Sequence, residues 1–174
     1  MQWQAPACLE DADEAVTDWL LDQTSLTARL KQQCQTFTVK VLGEGVQAFT
    51  PDEQILLHCR GQRGFVREVV LLCDDRPWVF ARTVVPSATL ERGKELGQLG
   101  SKPLGALLFS TPGMSRDLVE FTQLSSEHGL NQLALAEGAQ AKPRELWGRR
   151  SRFCLPAGEL LLSEIFLPDC QAYR

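Results

Sequence analysis

Gly64-Phe65-Val66-Arg67-Glu68-Val69-Val70-Leu71-Leu72-Cys73, then Asp74-Asp75-Arg76-Pro77, then Trp78-Val79-Phe80-Ala81-Arg82-Thr83-Val84-Val85-Pro86 is the stretch that decides the fold. Two runs of aliphatic, aromatic and β-branched residues flank a short polar turn, the pattern of an antiparallel hairpin. Side chains alternate across a strand, so Arg67 shares a face with Phe65, Val69 and Leu71, and Arg82 shares one with Trp78, Phe80 and Val84. With Asp74 and Asp75 as the central turn residues, Arg67 stands directly opposite Arg82; a longer loop leaves them diagonal on one face. Like charges on an apolar surface cost free energy unless an anion neutralises them. The hairpin is therefore expected to receive an anion with more than one carboxylate. A structural alternative is that both arginines snorkel to solvent or pair with Glu68 or Glu44.

A third strand, Glu159 to Pro168, places Glu164 on the face of Leu160, Leu162 and Phe166. An inward carboxylate there could act as an acid or base, or pair with Arg67 or Arg82. Working outward, helical periodicity runs from about Asp11 to Gln33, interrupted near Asp22-Gln23-Thr24-Ser25, where Thr24 or Ser25 caps a second helix. Phe37 to Leu42 reads as a short strand ending at Gly43-Glu44-Gly45, and Ile55 to Cys59 as another. Ser87 starts a helix through Leu90 and Leu96, Pro103 one across Leu104 to Leu108, and Ser115 one containing Leu118, Val119 and Phe121, with Gly129 as its stop. Asn131 to Glu145 is expected to be an exposed insertion, partly helical. Strands at Gly148 to Leu155 and Glu159 to Leu167 meet at Pro156-Ala157-Gly158. Strands grouped in hairpins predict an α+β fold, one domain over residues 1–174, with an antiparallel sheet flanked by helices.

The 174 residues, 44% hydrophobic and 23% charged, suit one soluble domain, and the net charge of -4 argues against a general nucleic-acid binder. No apolar run approaches the roughly 20 residues of a membrane span. Met1 to Pro6 shows no signal peptide, so a cytoplasmic location is expected. Cys8, Cys34, Cys59, Cys73, Cys154 and Cys170 lack paired spacing and read as reduced thiols. His58 and His128 have no metal-ligand neighbours, and no phosphate-cradling glycine loop occurs. Arg149, Arg150 and Arg152 read as a solvated strand edge, an RNA contact being the weaker alternative. Chemistry here is expected to use arginines and carboxylates, with no metal and no cofactor.

Val66 to Cys73, Ala81 to Pro86, Leu99-Gly100-Ser101-Lys102-Pro103-Leu104-Gly105, Leu146 to Arg152 and Leu161 to Pro168 together resemble the bacterial chorismate pyruvate-lyase family, in order along nearly the whole chain. Asp18 to Leu21 and Ser25 to Thr27 extend the resemblance. It implies a cofactor-free split of chorismate into 4-hydroxybenzoate and pyruvate, the first committed step of ubiquinone synthesis, in a closed pocket under helical flaps. A closed, apolar pocket is expected to hold the product tightly, giving product inhibition, and makes a monomer sufficient; no nucleic-acid partner and no integral membrane segment are expected. Carried over by motif position, Arg67 binds the ring carboxylate, Glu164 the ring hydroxyl, and the backbone at Leu26 and Leu104 completes the shell. Arg82 matches a second inward arginine, assigned to the enolpyruvyl carboxylate. Leu26 stands where the family often has Met. The fold is also similar to effector-binding domains of transcription regulators, so a non-catalytic sensor of small aromatic acids is the alternative.

Overall fold

Asp74 and Asp75 close the hairpin with φ of 49° and 60°, a left-handed pair whose twist matches that of the flanking strands. The Asp74 carboxylate accepts hydrogen bonds from the Gln35 and Thr36 amides at 3.0 and 2.8 Å, which fixes the turn against the preceding loop. The strands it joins are β2 (Arg63–Cys73) and β3 (Arg76–Pro86). The computed structural model describes residues 2–4, 9–10 and 12–174.

Four more strands complete one antiparallel sheet: β1 (Phe37–Ala48), β4 (Ser115–Leu124), β5 (Leu146–Leu155) and β6 (Gly158–Phe166), in the order β1-β2-β3-β6-β5-β4. After β3 the chain crosses to the far edge for β4 and meanders back, so the last strand lies beside β3. Strand β5 is therefore interior, flanked by β4 and β6. That position corrects the expectation of a solvated edge at Arg149 and Arg150, both of which are buried.

Helices cover both faces. Against the front pack α1 (Glu14–Leu21), α2 (Leu26–Gln33) and α5 (Leu104–Ser110), whose Val16, Trp19, Leu26, Leu30, Leu104 and Leu108 join Val69, Leu71, Phe153 and Leu162 in the main core. Ser25 caps α2, its hydroxyl accepting from Ala28 N at 3.3 Å. On the back, α6 (Gly129–Ala136) sets Leu130 and Ala134 against Val70, Phe80 and Ile165. Near α3 (Pro51–Leu56), Leu57 and Phe49 pack on Val66, Val84 and Leu161. The short α4 (Ser87–Arg92) follows β3 directly. No helix among the described residues is long and apolar enough to cross a membrane.

Several expected elements differ; β1 does not end at Gly43-Glu44-Gly45 but runs through it to Ala48, with a bulge between Val41 and Gly43. The segment from Ser115 is strand β4 rather than a helix, because pairing with β5 overrides a pattern compatible with either period. Gly129 starts α6 instead of ending a helix. Residues around Ile55 belong to α3, where Pro51 occupies the first turn and the Glu53 carboxylate accepts from the Thr50 amide at 2.8 Å. Within 131–145, Asn131 and Ala134 are buried, and Asn131 ties the loop down by donating to the carbonyls of Ser126 and Arg144. Cys34, Cys59, Cys73, Cys154 and Cys170 are free thiols; Cys8 lies outside the described residues.

Candidate functional site

The front face of the sheet and the first turns of α2 and α5 line a pocket that holds roughly 540 Å³ of atom-free space when its opening to solvent is counted. Val39, Val69, Leu71, Ala81, Phe153 and Leu162 give it an apolar wall; Arg67, Arg116, Arg149 and Glu164 supply the charge. Such a site suits a small aromatic or alicyclic anion.

Register explains how the charges meet. Arg67 lies opposite Thr83 on β3, which in turn lies opposite Leu162 on β6. Glu164 sits one residue pair further along, opposite Ala81 on one side and Arg149 on the other. Two strand spacings across and two residues along separate the Cα atoms of Arg67 and Glu164 by about 12 Å. Two side chains reaching inward across that span leave room for one six-membered ring.

Arg67 is buried at 2% exposure. Its Nη2 donates to the Gly100 carbonyl at 2.6 Å and to that of Lys102 at 3.3 Å. Its Nε lies 3.4 Å from Glu44 Oε2, too poorly aligned to be a hydrogen bond, and is otherwise unpartnered among the described residues. Burial pushes the Arg67 pKa down, and Glu44 pushes it back up. This is a buried cation with donors to spare, which is what a carboxylate ligand requires.

The partner of Glu164 is Arg149, and neither Arg67 nor Arg82. Arg149 Nε donates to Glu164 Oε2 at 2.7 Å, and its Nη1 donates to the carbonyls of Trp19, Leu20 and Asp22 at 3.1, 3.4 and 2.5 Å. Those carbonyls are left over at the C-terminal end of α1, so one guanidinium both caps that helix and holds Glu164. Glu164 Oε1 makes no hydrogen bond among the described residues.

Arg82 is on the other face. A bulge at Trp78 shifts the hairpin by one residue, so Arg82 pairs with Glu68 and Arg67 with Thr83. Arg82 donates to Glu53 through Nε and Nη2 at 2.7 and 3.1 Å, and to Glu68 through Nη1 at 2.9 Å; these carboxylates raise its pKa. Trp78, displaced by the same bulge, joins the front core. Arg150 also faces back, paired with Asp52 and Glu120, and Arg152 pairs with Asp117. Glu68, Arg82, Ser163, Arg150 and Glu120 thus form a registered row across five strands.

Of the residues singled out in the sequence, Arg67, Glu164, Leu26 and Leu104 line one cavity and Arg82 does not. Two further cavity arginines, Arg149 and Arg116, were missed. Arg149 had the same signal as Arg67, a lone arginine alternating with Trp147 and Phe153 on an apolar face. Arg116 lay in a stretch read as helix, which hid its face. Leu26 and Leu104 begin their helices, so their backbone amides have no partner within the helix. The starts of α2 and α5 meet at Gly105, where a Cβ would fall 2.9 Å from Thr27 Oγ1.

Comparison with known proteins identifies the family and the fold. The sequence profile described as chorismate lyase matches residues 1–174. A Shewanella amazonensis protein named "Probable chorismate pyruvate-lyase" is 45% identical over 173 residues, covering 98% of this chain and 89% of the relative. A Pectobacterium atrosepticum protein named "Chorismate pyruvate-lyase" is 39% identical over 166 residues, covering 92% and 81%. The solved effector domain of PhnF from Mycobacterium smegmatis superposes with a TM-score of 0.58 at 16% identity, covering 84% of this chain and 90% of that one, a likeness of fold alone.

Proposed function

The chain belongs to the chorismate lyase family, and on that premise we propose that it converts chorismate into 4-hydroxybenzoate and pyruvate inside this cavity. It is a carbon–oxygen lyase, and the observation that carries the assignment to this site is the buried, under-satisfied Arg67 facing the same apolar cavity as the Arg149-anchored Glu164.

Arg67 takes the ring carboxylate with the donors it has left, and Glu164 Oε1 accepts from the C4 hydroxyl. The ring lies against Val69, Leu71, Ala81 and Leu162. In the reaction C4 loses its hydrogen as a proton, and that electron pair completes the aromatic ring. The C3–oxygen bond breaks, and the departing enolpyruvate takes a proton at its methylene carbon to become pyruvate. Aromatisation drives the chemistry, so the protein's task is to hold the reactive conformer out of water. The amides of Leu26 and Leu104 complete the shell from α2 and α5, which serve as the lids. One chain supplies every one of these groups, so a monomer suffices. Product leaves only when the lids part, and we assign the slow step to that release.

The test is to mix purified protein with chorismate and follow products by chromatography. Equimolar 4-hydroxybenzoate and pyruvate above the spontaneous background supports the proposal; tight binding of 4-hydroxybenzoate without turnover refutes it in favour of a sensor. Arg67→Ala is expected to lower both turnover and product affinity at least about tenfold through loss of charge-assisted hydrogen bonds.

A further inference from the structure

With Arg82 on the back of the sheet, the second carboxylate of chorismate lacks its expected partner. The enolpyruvyl ether stands on C3, next to the C4 hydroxyl and away from the ring carboxylate. Its carboxylate therefore falls at the Glu164 end of the cavity. Two cations lie there.

Arg149 is already engaged, its charge matched by Glu164 and its Nη1 bound to three carbonyls. Arg116, on β4, is different. Its Nε donates to Ser151 Oγ at 2.8 Å and its Nη1 to the Asp22 carbonyl at 3.3 Å, the same oxygen that Arg149 holds. No carboxylate lies within ion-pair distance of it among the described residues, and its Nη2 makes no hydrogen bond there. The Phe153 ring, 5.6 Å from the guanidinium carbon, supports its plane. Two arginines and one carboxylate line this end of the cavity, and the nearby Asp22 carboxylate is already paired with Arg29 at 2.9 Å, so the lining carries one positive charge in excess. Burial, then the Arg149 charge, push the Arg116 pKa down, and the more distant Glu164 and Asp22 carboxylates offset only part of that.

Resting on the lyase assignment, we infer that Arg116 binds the enolpyruvyl carboxylate of chorismate and stabilises the negative charge that develops on the departing enolpyruvate. Arg116 also lines a surface cleft with Leu20, Gln23 and Phe121, so the fragment it holds lies beside a way out to solvent.

The product offers the control, because 4-hydroxybenzoate carries the first carboxylate and lacks the second. Arg116→Gln should lower kcat/KM for chorismate by about 10- to 100-fold, the worth of one hydrogen-bonded charge. Its Kd for 4-hydroxybenzoate should stay within about threefold of the original, a result that also shows the variant is folded. Arg116→Lys, which keeps the charge, should recover part of the loss. Unchanged kcat/KM, or an equal loss of product affinity, overturns the inference. A second comparison needs no variant. In the unmodified protein, 4-hydroxy-3-(carboxymethoxy)benzoate should bind at least about tenfold tighter than 4-hydroxy-3-methoxybenzoate, because only the first places a carboxylate at this end. The reverse order overturns the inference. Absence of any turnover by the unmodified protein would instead remove the lyase assignment, and the two-ligand comparison would still report on Arg116.

Discussion

Replacing Arg149 with Met tests whether one guanidinium holds both the α1 helix end and Glu164. Arg149 and Glu164 side chains are 2% and 10% exposed, so the variant leaves the Glu164 carboxylate in the interior without its hydrogen-bonded ion-pair partner. Breaking such a buried pair from one side costs about 3–5 kcal/mol. For a chain of this length each kcal/mol lowers Tm by about 2–4 °C, which puts the expected drop at roughly 6–20 °C. Glu164→Gln in the same background removes the stranded charge. The double variant should therefore lose less than the two single losses combined, with a coupling of at least about 2 kcal/mol. Urea unfolding of the four proteins without ligand supplies the cycle, and 4-hydroxybenzoate titration reports whether the cavity survives. An Arg149→Met protein within about 2 °C of the original Tm, or an additive cycle, would refute this account of the pair.

Arg82→Met should destabilise the protein by leaving the buried Glu53 carboxylate unpaired, while product affinity stays within about threefold because Arg82 is not part of the cavity; a tenfold loss of affinity at unchanged stability would place it back in the site. Gly105→Ala puts a Cβ 2.9 Å from Thr27 Oγ1 at the meeting of the lids, so stopped-flow displacement should show faster product release, and an unchanged off-rate would argue against gating there. Burial alone would raise the Asp22 and Asp52 pKa values, but hydrogen bonds from Thr24 and Arg29, and from Thr50 and Arg150, outweigh it and lower both; Arg152 lowers Asp117. Depressed folded-state values stabilise the protein above the unfolded carboxylate pKa and lose that contribution as pH falls through the folded ones. The urea midpoint should thus hold from pH 7 to about 4 and fall below it, and Asp117→Asn should flatten the fall.

Much of the site was legible because alternation is a local property. A lone arginine between Phe65 and Val69, and a lone glutamate between Leu162 and Phe166, point inward on any strand that buries its apolar side. The same rule applied to Trp147, Arg149 and Phe153 would have found Arg149, had β5 been recognised as interior. Arg116 was hidden because Ser115 to Leu124 carries apolar residues at both helical and strand spacing, and only the ladder to β5 decides between them.

The sequence by itself determined which segments are apolar, where the Asp74-Asp75 turn falls, and the family to which the motifs point. Only the tertiary structure decided which charges share a space. One extra residue at Trp78 turns Arg82 to the back of the sheet, and the return of the chain through β5 and β6 carries Arg149 and Glu164 together against Arg67. Strand order and bulges are set by long-range pairing and packing, whose free energies depend on partners distant in the chain, so no local pattern contains them.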